Sequence, residues 1–103
     1  MSEPSTTPAV EVTDNPRADR YEARVGGVLA GIAQYVRSGG LIAFVHTEVE
    51  PEFEGRGVAG ALARTSLDAA RAEGSKVLAS CPFYAGWIDR HPDYQDLLAT
   101  EPG

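Results

Sequence analysis

LIAFVHTEVEPEFEGRGVAGALA, Leu41 to Ala63, is the stretch whose reading decides the fold. Its first nine residues are mostly apolar or β-branched, the composition of a buried strand. Pro51 lacks a ladder donor, and with the acidic run from Glu50 to Glu54 it closes that strand. Glycines follow at 55, 57 and 60, and after them come residues suited to a helix. A strand that passes through a glycine turn into a helix leaves backbone N–H groups at the positive end of the helix dipole, where an anion is stabilised. Gly55, Gly57 and Gly60 admit a phosphate close to the main chain, and Arg56 adds a charge-assisted hydrogen bond. No Lys-Ser/Thr pair follows the last glycine, which sets aside a nucleotide P-loop. A dinucleotide loop is set aside too, because no βαβ unit with an acidic residue at the required spacing surrounds it.

Toward the C-terminus the helix is expected from Gly57 to about Glu73, with Val58, Leu62, Thr65, Ala69 and Ala72 on one stripe and Gly74 as its stop. Lys76 to Cys81 reads as a short strand, which a right-handed crossover lays parallel to Leu41–Val49. Pro82 suits the first turn of a last helix, to about Arg90, which His91-Pro92 ends. One more turn is expected through Leu97 and Leu98. Toward the N-terminus, Val28 to Val36 and Tyr21 to Val25 read as two further strands, with turns at Gly26-Gly27 and at Arg37-Ser38-Gly39-Gly40. The expected fold is α+β: an antiparallel three-strand meander, a crossover helix, a fourth parallel strand and a C-terminal helix. Residues 1–19, rich in Ser, Thr, Pro, Asp and Glu, read as a disordered tail, leaving 20–103 as a single domain.

The totals narrow the function. A formal charge of −6 on 103 residues repels phosphate backbones and anionic lipid, so neither nucleic acid nor a membrane is expected as a partner. Cys81 is the single cysteine, which rules out an intrachain disulfide. The first twenty residues have no basic segment followed by an apolar run, and the chain is expected in the cytoplasm. No metal site is expected.

The segment VEPEFEGRGVAGALA, Val49 to Ala63, resembles the coenzyme A signature of the GNAT acetyltransferase superfamily. HTEV, His46 to Val49, and CPFYAGWIDRHPDY, Cys81 to Tyr94, extend the likeness to a group of very short, single-domain GNAT-like N-acetyltransferases over about residues 21–98. Glu54 departs from the pattern, standing where the superfamily usually has Gln or Arg, whereas Gly55-Arg56-Gly57-Val58 follow it and Ala59 takes the final small position. The resemblance implies a GNAT-like mixed sheet, with strands splaying between Leu41–Val49 and Lys76–Cys81. It also implies acetyl-CoA or coenzyme A as the cofactor, held by Val49, Gly55, Arg56, Gly57, Val58, Ala59 and Gly60. Pantetheine then lies against main chain near Val49 like an added strand, and the thioester points toward Cys81.

Acetyl transfer to an amine needs the amine deprotonated, an oxyanion stabilised and a proton returned to the departing thiolate. His46, on the strand expected to be most buried, is the first choice for general base, against a purely structural strand histidine. Glu48, on the same strand face by alternation, is the second. Cys81, before Pro82 and a helix N-terminus, suits a nucleophile of lowered pKa or, equally, a packed free cysteine. Tyr84 would protonate or orient the thiolate, as a tyrosine in this region does in many GNAT enzymes, or else pack as an aromatic. Phe83 and Trp87 are assigned to packing or to covering the pantetheine arm, and His91 to the helix dipole.

Gly26-Gly27 joins the first two expected strands directly, where larger GNAT enzymes insert helices. The acceptor site is therefore expected to be open, for a small amine, a protein lysine or an N-terminus, on a monomer or weak homodimer. Two other readings stand beside the enzyme: a coenzyme A or acyl-CoA binding module with little turnover, and an interaction protein whose loop binds nothing.

Overall fold

The computed structural model describes residues 9–99. Five strands form one sheet in sequence order: β1 (Val10–Asn15), β2 (Arg20–Val25), β3 (Val28–Ser38), β4 (Leu41–Val49) and β5 (Lys76–Ala79). The first four pair antiparallel and β5 runs parallel to β4. Gly26 and Gly27 both take positive φ, 59° and 84°, so the β2–β3 turn has the twist a two-residue hairpin requires. Between β4 and β5 lies helix α1 (Val58–Glu73), and after β5 comes α2 (Pro82–Asp89). The expected mixed sheet, crossover helix and C-terminal helix are all present, and Gly74 ends α1 in the left-handed conformation at φ 78°.

One boundary is corrected. Residues 1–8 of the expected tail lie outside the described residues, but Val10–Asn15 form a strand where a tail had been expected, so the meander has four strands rather than three. Val10 and Val12 alternate inward and pack against the core. The Tyr35 hydroxyl donates to Asp14 at 2.6 Å, and Arg37 lies 3.8 Å from the same carboxylate. Six residues gave too little periodicity to be read, because their apolar face needs β2 beside it before it can be buried.

α1 crosses one face of the sheet, burying Val58, Leu62, Ala63, Ser66, Leu67 and Ala70. The stripe therefore lies about one residue from the expected one, since Thr65 and Ala72 are exposed. α2 packs beside α1 on the same face, where Tyr84 stacks on Phe44 of β4 with ring centroids 4.2 Å apart. Among the described residues no element covers the opposite face of β2–β4. Glu22 on that face accepts hydrogen bonds from Asn15 (3.0 Å), Arg20 (2.8 Å) and Arg24 (2.9 Å). These three donors hold its carboxyl at a pKa of about 2, well below the ordinary value.

Candidate functional site

β4 outruns β5. Their pairing begins at Leu41–Lys76 and ends at Phe44–Ala79, after which the Cys81 N–H donates to the Phe44 carbonyl at 2.8 Å and the chain turns into α2. The fourth expected strand thus stops two residues early, and Cys81 becomes the N-cap residue of α2. From Val45 to Val49 the β5 side of β4 has no strand partner among the described residues. This is the expected splay. Cys81 Sγ is buried at its inner end, 3.3 Å from Thr47 Oγ1 across the opening.

At the outer end the chain passes through a short 3₁₀ turn, Pro51–Phe53, into the glycine segment. Gly55 and Gly57 take φ of 83° and 77°, and a Cβ at either would meet nothing within 4 Å, so these glycines serve backbone conformation and leave the space above them clear. Gly57 is the N-cap of α1 and offers no capping side chain. The first intrahelical bond is Ala61 N–H to the Gly57 carbonyl, 3.0 Å, and among the described residues the amides of Val58, Ala59 and Gly60 are left as the unpaired donors of the first turn. A concavity of about 280 Å³ lies over them, lined by Val49, Phe53, Glu54, Gly55 and Gly57 through Gly60. Arg56 is exposed with its guanidinium 5.6 Å from the Phe53 ring, and the Glu54 side chain adds a carboxylate at the rim. These residues fit a diphosphate held chiefly by main chain.

The expected catalytic side chains do not share one place. Pairing of β3 with β4 slips at Val45: Gln34 faces His46 but Tyr35 faces Phe44, so β4 carries one extra residue. Up to Phe44 the even-numbered side chains face α1; beyond the bulge the odd-numbered ones do. Thr47 consequently turns inward beside Cys81, and His46 and Glu48 turn to the open face, with side chains 50% and 63% exposed. His46 is therefore not buried, as the sequence had suggested. It does share a face with Glu48, and its Nε2 lies 2.8 Å from the Glu48 carboxylate.

Tyr84 is a core residue with no exposed surface. Its hydroxyl lies 2.7 Å from the Ser66 hydroxyl and 3.4 Å from the Leu62 carbonyl oxygen, and burial pushes its pKa well above the ordinary value. The tyrosine joins α1, α2 and β4, which answers the packing alternative and not the proton donor. His91 caps the end of α2, its Nδ1 2.7 Å from the Trp87 carbonyl oxygen and its ring stacked on Trp87 at 3.7 Å. No local signal in the sequence marks Thr47, since only the bulge brings it to Cys81. Among the described residues no group of three or more metal-binding side chains gathers, and no helix is long and apolar enough to cross a membrane.

Residues 20–97 match a family model of GCN5-related N-acetyl-transferases. The fold is similar to that of a GCN5-like protein of Staphylococcus aureus solved by NMR, with 22% identity over 89% of this chain and 90% of the other and a TM-score of 0.68. A ribosomal-protein-alanine N-acetyltransferase of Brucella melitensis biovar Abortus 2308 is similar over 82% of this chain and 63% of its own, with 21% identity and a TM-score of 0.50. Nourseothricin acetyltransferase is similar over 85% and 67%, with 23% identity and a TM-score of 0.52. No curated protein is similar enough in sequence to match.

Proposed function

Because this chain belongs to the GCN5-related N-acetyltransferase family, we propose that it moves an acetyl group from acetyl-CoA to an amine at the opening where β4 outruns β5. The observation that carries the reading is that opening, with three unpaired amides of α1 at one end and Cys81 at the other. Acetyl-CoA, when bound, supplies an acetyl group activated as a thioester. The amides of Val58, Ala59 and Gly60, with Arg56 beside them, hold the diphosphate against the molecule's net negative charge. Val49 and the unpaired edge of β4 offer main-chain hydrogen bonds to the pantetheine arm, and Cys81 borders the acyl end.

On the open face, His46 and Glu48 take the proton that an amine must lose before it can attack. Their 2.8 Å contact orients the imidazole and gives the proton a second acceptor. Tyr84 has no place in this chemistry, so solvent at the opening supplies the proton to the coenzyme A thiolate released as the thioester bond breaks. The open face of β2–β4 suits an extended or protein-borne amine, although the named relatives' acceptors, a ribosomal protein's alanine and nourseothricin, span both classes. The withdrawal of Tyr84 also favours the second reading, a binding module with little turnover.

Thermal melting with acetyl-CoA tests the binding half: ligand at a hundred times its Kd raises stability by about 2.7 kcal/mol. Turnover of a panel of amines and peptides, followed by intact mass, tests the transfer half. Loss of turnover in both His46→Gln and Glu48→Gln is expected; an acetyl adduct absent from Cys81→Ser assigns the thiol a covalent role. An unchanged melting point overturns the cofactor reading, and a shift without turnover of any amine leaves the binding module.

A further inference from the structure

A second set of donors stands on the flank of α1, beginning at the last of the unpaired amides and reaching one turn beyond it. Trp87 of α2 is 5% exposed, and its indole nitrogen lies 3.8 Å from where a Cβ on Gly60 would sit. Among the described residues that N–H has no acceptor, and no fully sealed side-chain nitrogen or oxygen lacks one, so the nitrogen reaches the surface at Gly60. An indole N–H can only donate, and a buried tryptophan ordinarily finds a partner for it.

Arg64 lies four residues after Gly60, on the same side of the helix and about 6 Å further along its axis at 1.5 Å per residue. Its guanidinium sits 5.4 Å from the Trp87 ring and 5.9 Å from the Tyr94 ring. The Tyr94 hydroxyl, which donates to Asp68 at 2.7 Å, accepts a long 3.4 Å bond from Arg64. Among the described residues Arg64 has no carboxylate within ion-pair distance, although Arg71, on the same helix, is paired with Asp96 at 2.9 Å. Two aromatic rings hold the guanidinium in position, and Asp68 reaches it only through the Tyr94 hydroxyl, not as an ion pair.

An indole donor beside Gly60 and a guanidinium without a direct ion pair about one helical turn further on suit a ligand with a second anionic group beyond the one held by the three amides. We propose that Arg64 and the Trp87 indole N–H bind the phosphate monoester on the ribose of coenzyme A, while the first turn of α1 holds the diphosphate. This rests on the cofactor reading above. A monoester is close to dianionic at neutral pH, the charge a guanidinium pairs with best. The chain then distinguishes coenzyme A from its 3′-dephospho form, which leaves diphosphate and pantetheine unaltered.

Isothermal titration of the full chain with coenzyme A and with 3′-dephospho-coenzyme A measures this directly. Wild type is expected to bind coenzyme A at least tenfold more tightly. Arg64→Gln, at an exposed position that leaves the core intact, is expected to bring that ratio close to one with little change for the dephospho ligand. Trp87→Phe, checked for folding by circular dichroism, is expected to reduce it part of the way. Equal binding of the two ligands by wild type overturns the subsite, as does an Arg64→Gln variant that weakens both equally. Binding of neither ligand instead overturns the cofactor reading on which the subsite depends.

Discussion

The two hydroxyls of Tyr84 and Ser66, 2.7 Å apart, illustrate how one atom's surroundings decide a residue's role. A phenol with no exposed surface cannot meet a thiolate, and Ser66 keeps a second contact at 3.2 Å to the Ala63 carbonyl oxygen. Tyr84→Phe is therefore expected to lower stability by about 1 kcal/mol, read from thermal melting, and to leave the pH profile of turnover unchanged. A shifted profile would return the tyrosine to the chemistry. Glu22 shows the converse, a charged residue made structural by three donors. Its folded pKa of about 2 lies below the ordinary value of 4.5, so the stability it contributes is present above pH 4.5 and is lost as pH falls through 2. Glu22→Gln is expected to cost roughly 1–2 kcal/mol at neutral pH, with the difference from wild type shrinking steadily in acid melts.

At the scale of elements, Gly31 of β3 lies close against both β4 and α1. A Cβ there would lie 2.8 Å from the Glu48 carbonyl oxygen and 2.9 Å from Val58 Cγ1. The carbonyl belongs to the β4 backbone and cannot move aside as a flexible side chain would, so Gly31→Ala is expected to destabilise by about 2–3 kcal/mol in chemical denaturation. It should also weaken cofactor binding, since the displaced backbone leads directly into Val49 and the turn beyond it. The bounds of β4 were legible to the residue, because an apolar run between a glycine turn and Pro51 has only one length. Its facing was not legible: the single extra residue at Val45 reverses which side chains meet the core, and alternation gives only that His46 and Glu48 share a face, not that this face is the open one.

For the molecule as a whole, β1 is the strand that the family match, beginning at residue 20, leaves out. It covers the β2 edge and contributes Asp14 to Tyr35 and Asn15 to Glu22. Deleting residues 1–15 is expected to cost at least 2 kcal/mol and to lower the melting temperature by roughly 8 °C or more, whereas deleting 1–8 leaves every contact named here in place. Equal melting points for the two truncations would show β1 to be dispensable. The sequence by itself determined the order of strands and helices from β2 onward and the glycine turn, because periodicity, turn glycines and a helix N-terminus are properties of neighbouring residues; the family was legible through the resemblance of Val49–Ala63 and Cys81–Tyr94 to a known signature. Only the tertiary structure decided that β1 exists, that Thr47 meets Cys81, that Tyr84 lies inside the core and that Arg64 and Trp87 flank Gly60. Each of these depends on contacts between distant parts of the chain, or on a bulge that resets a strand's facing, and neither leaves a mark in local composition.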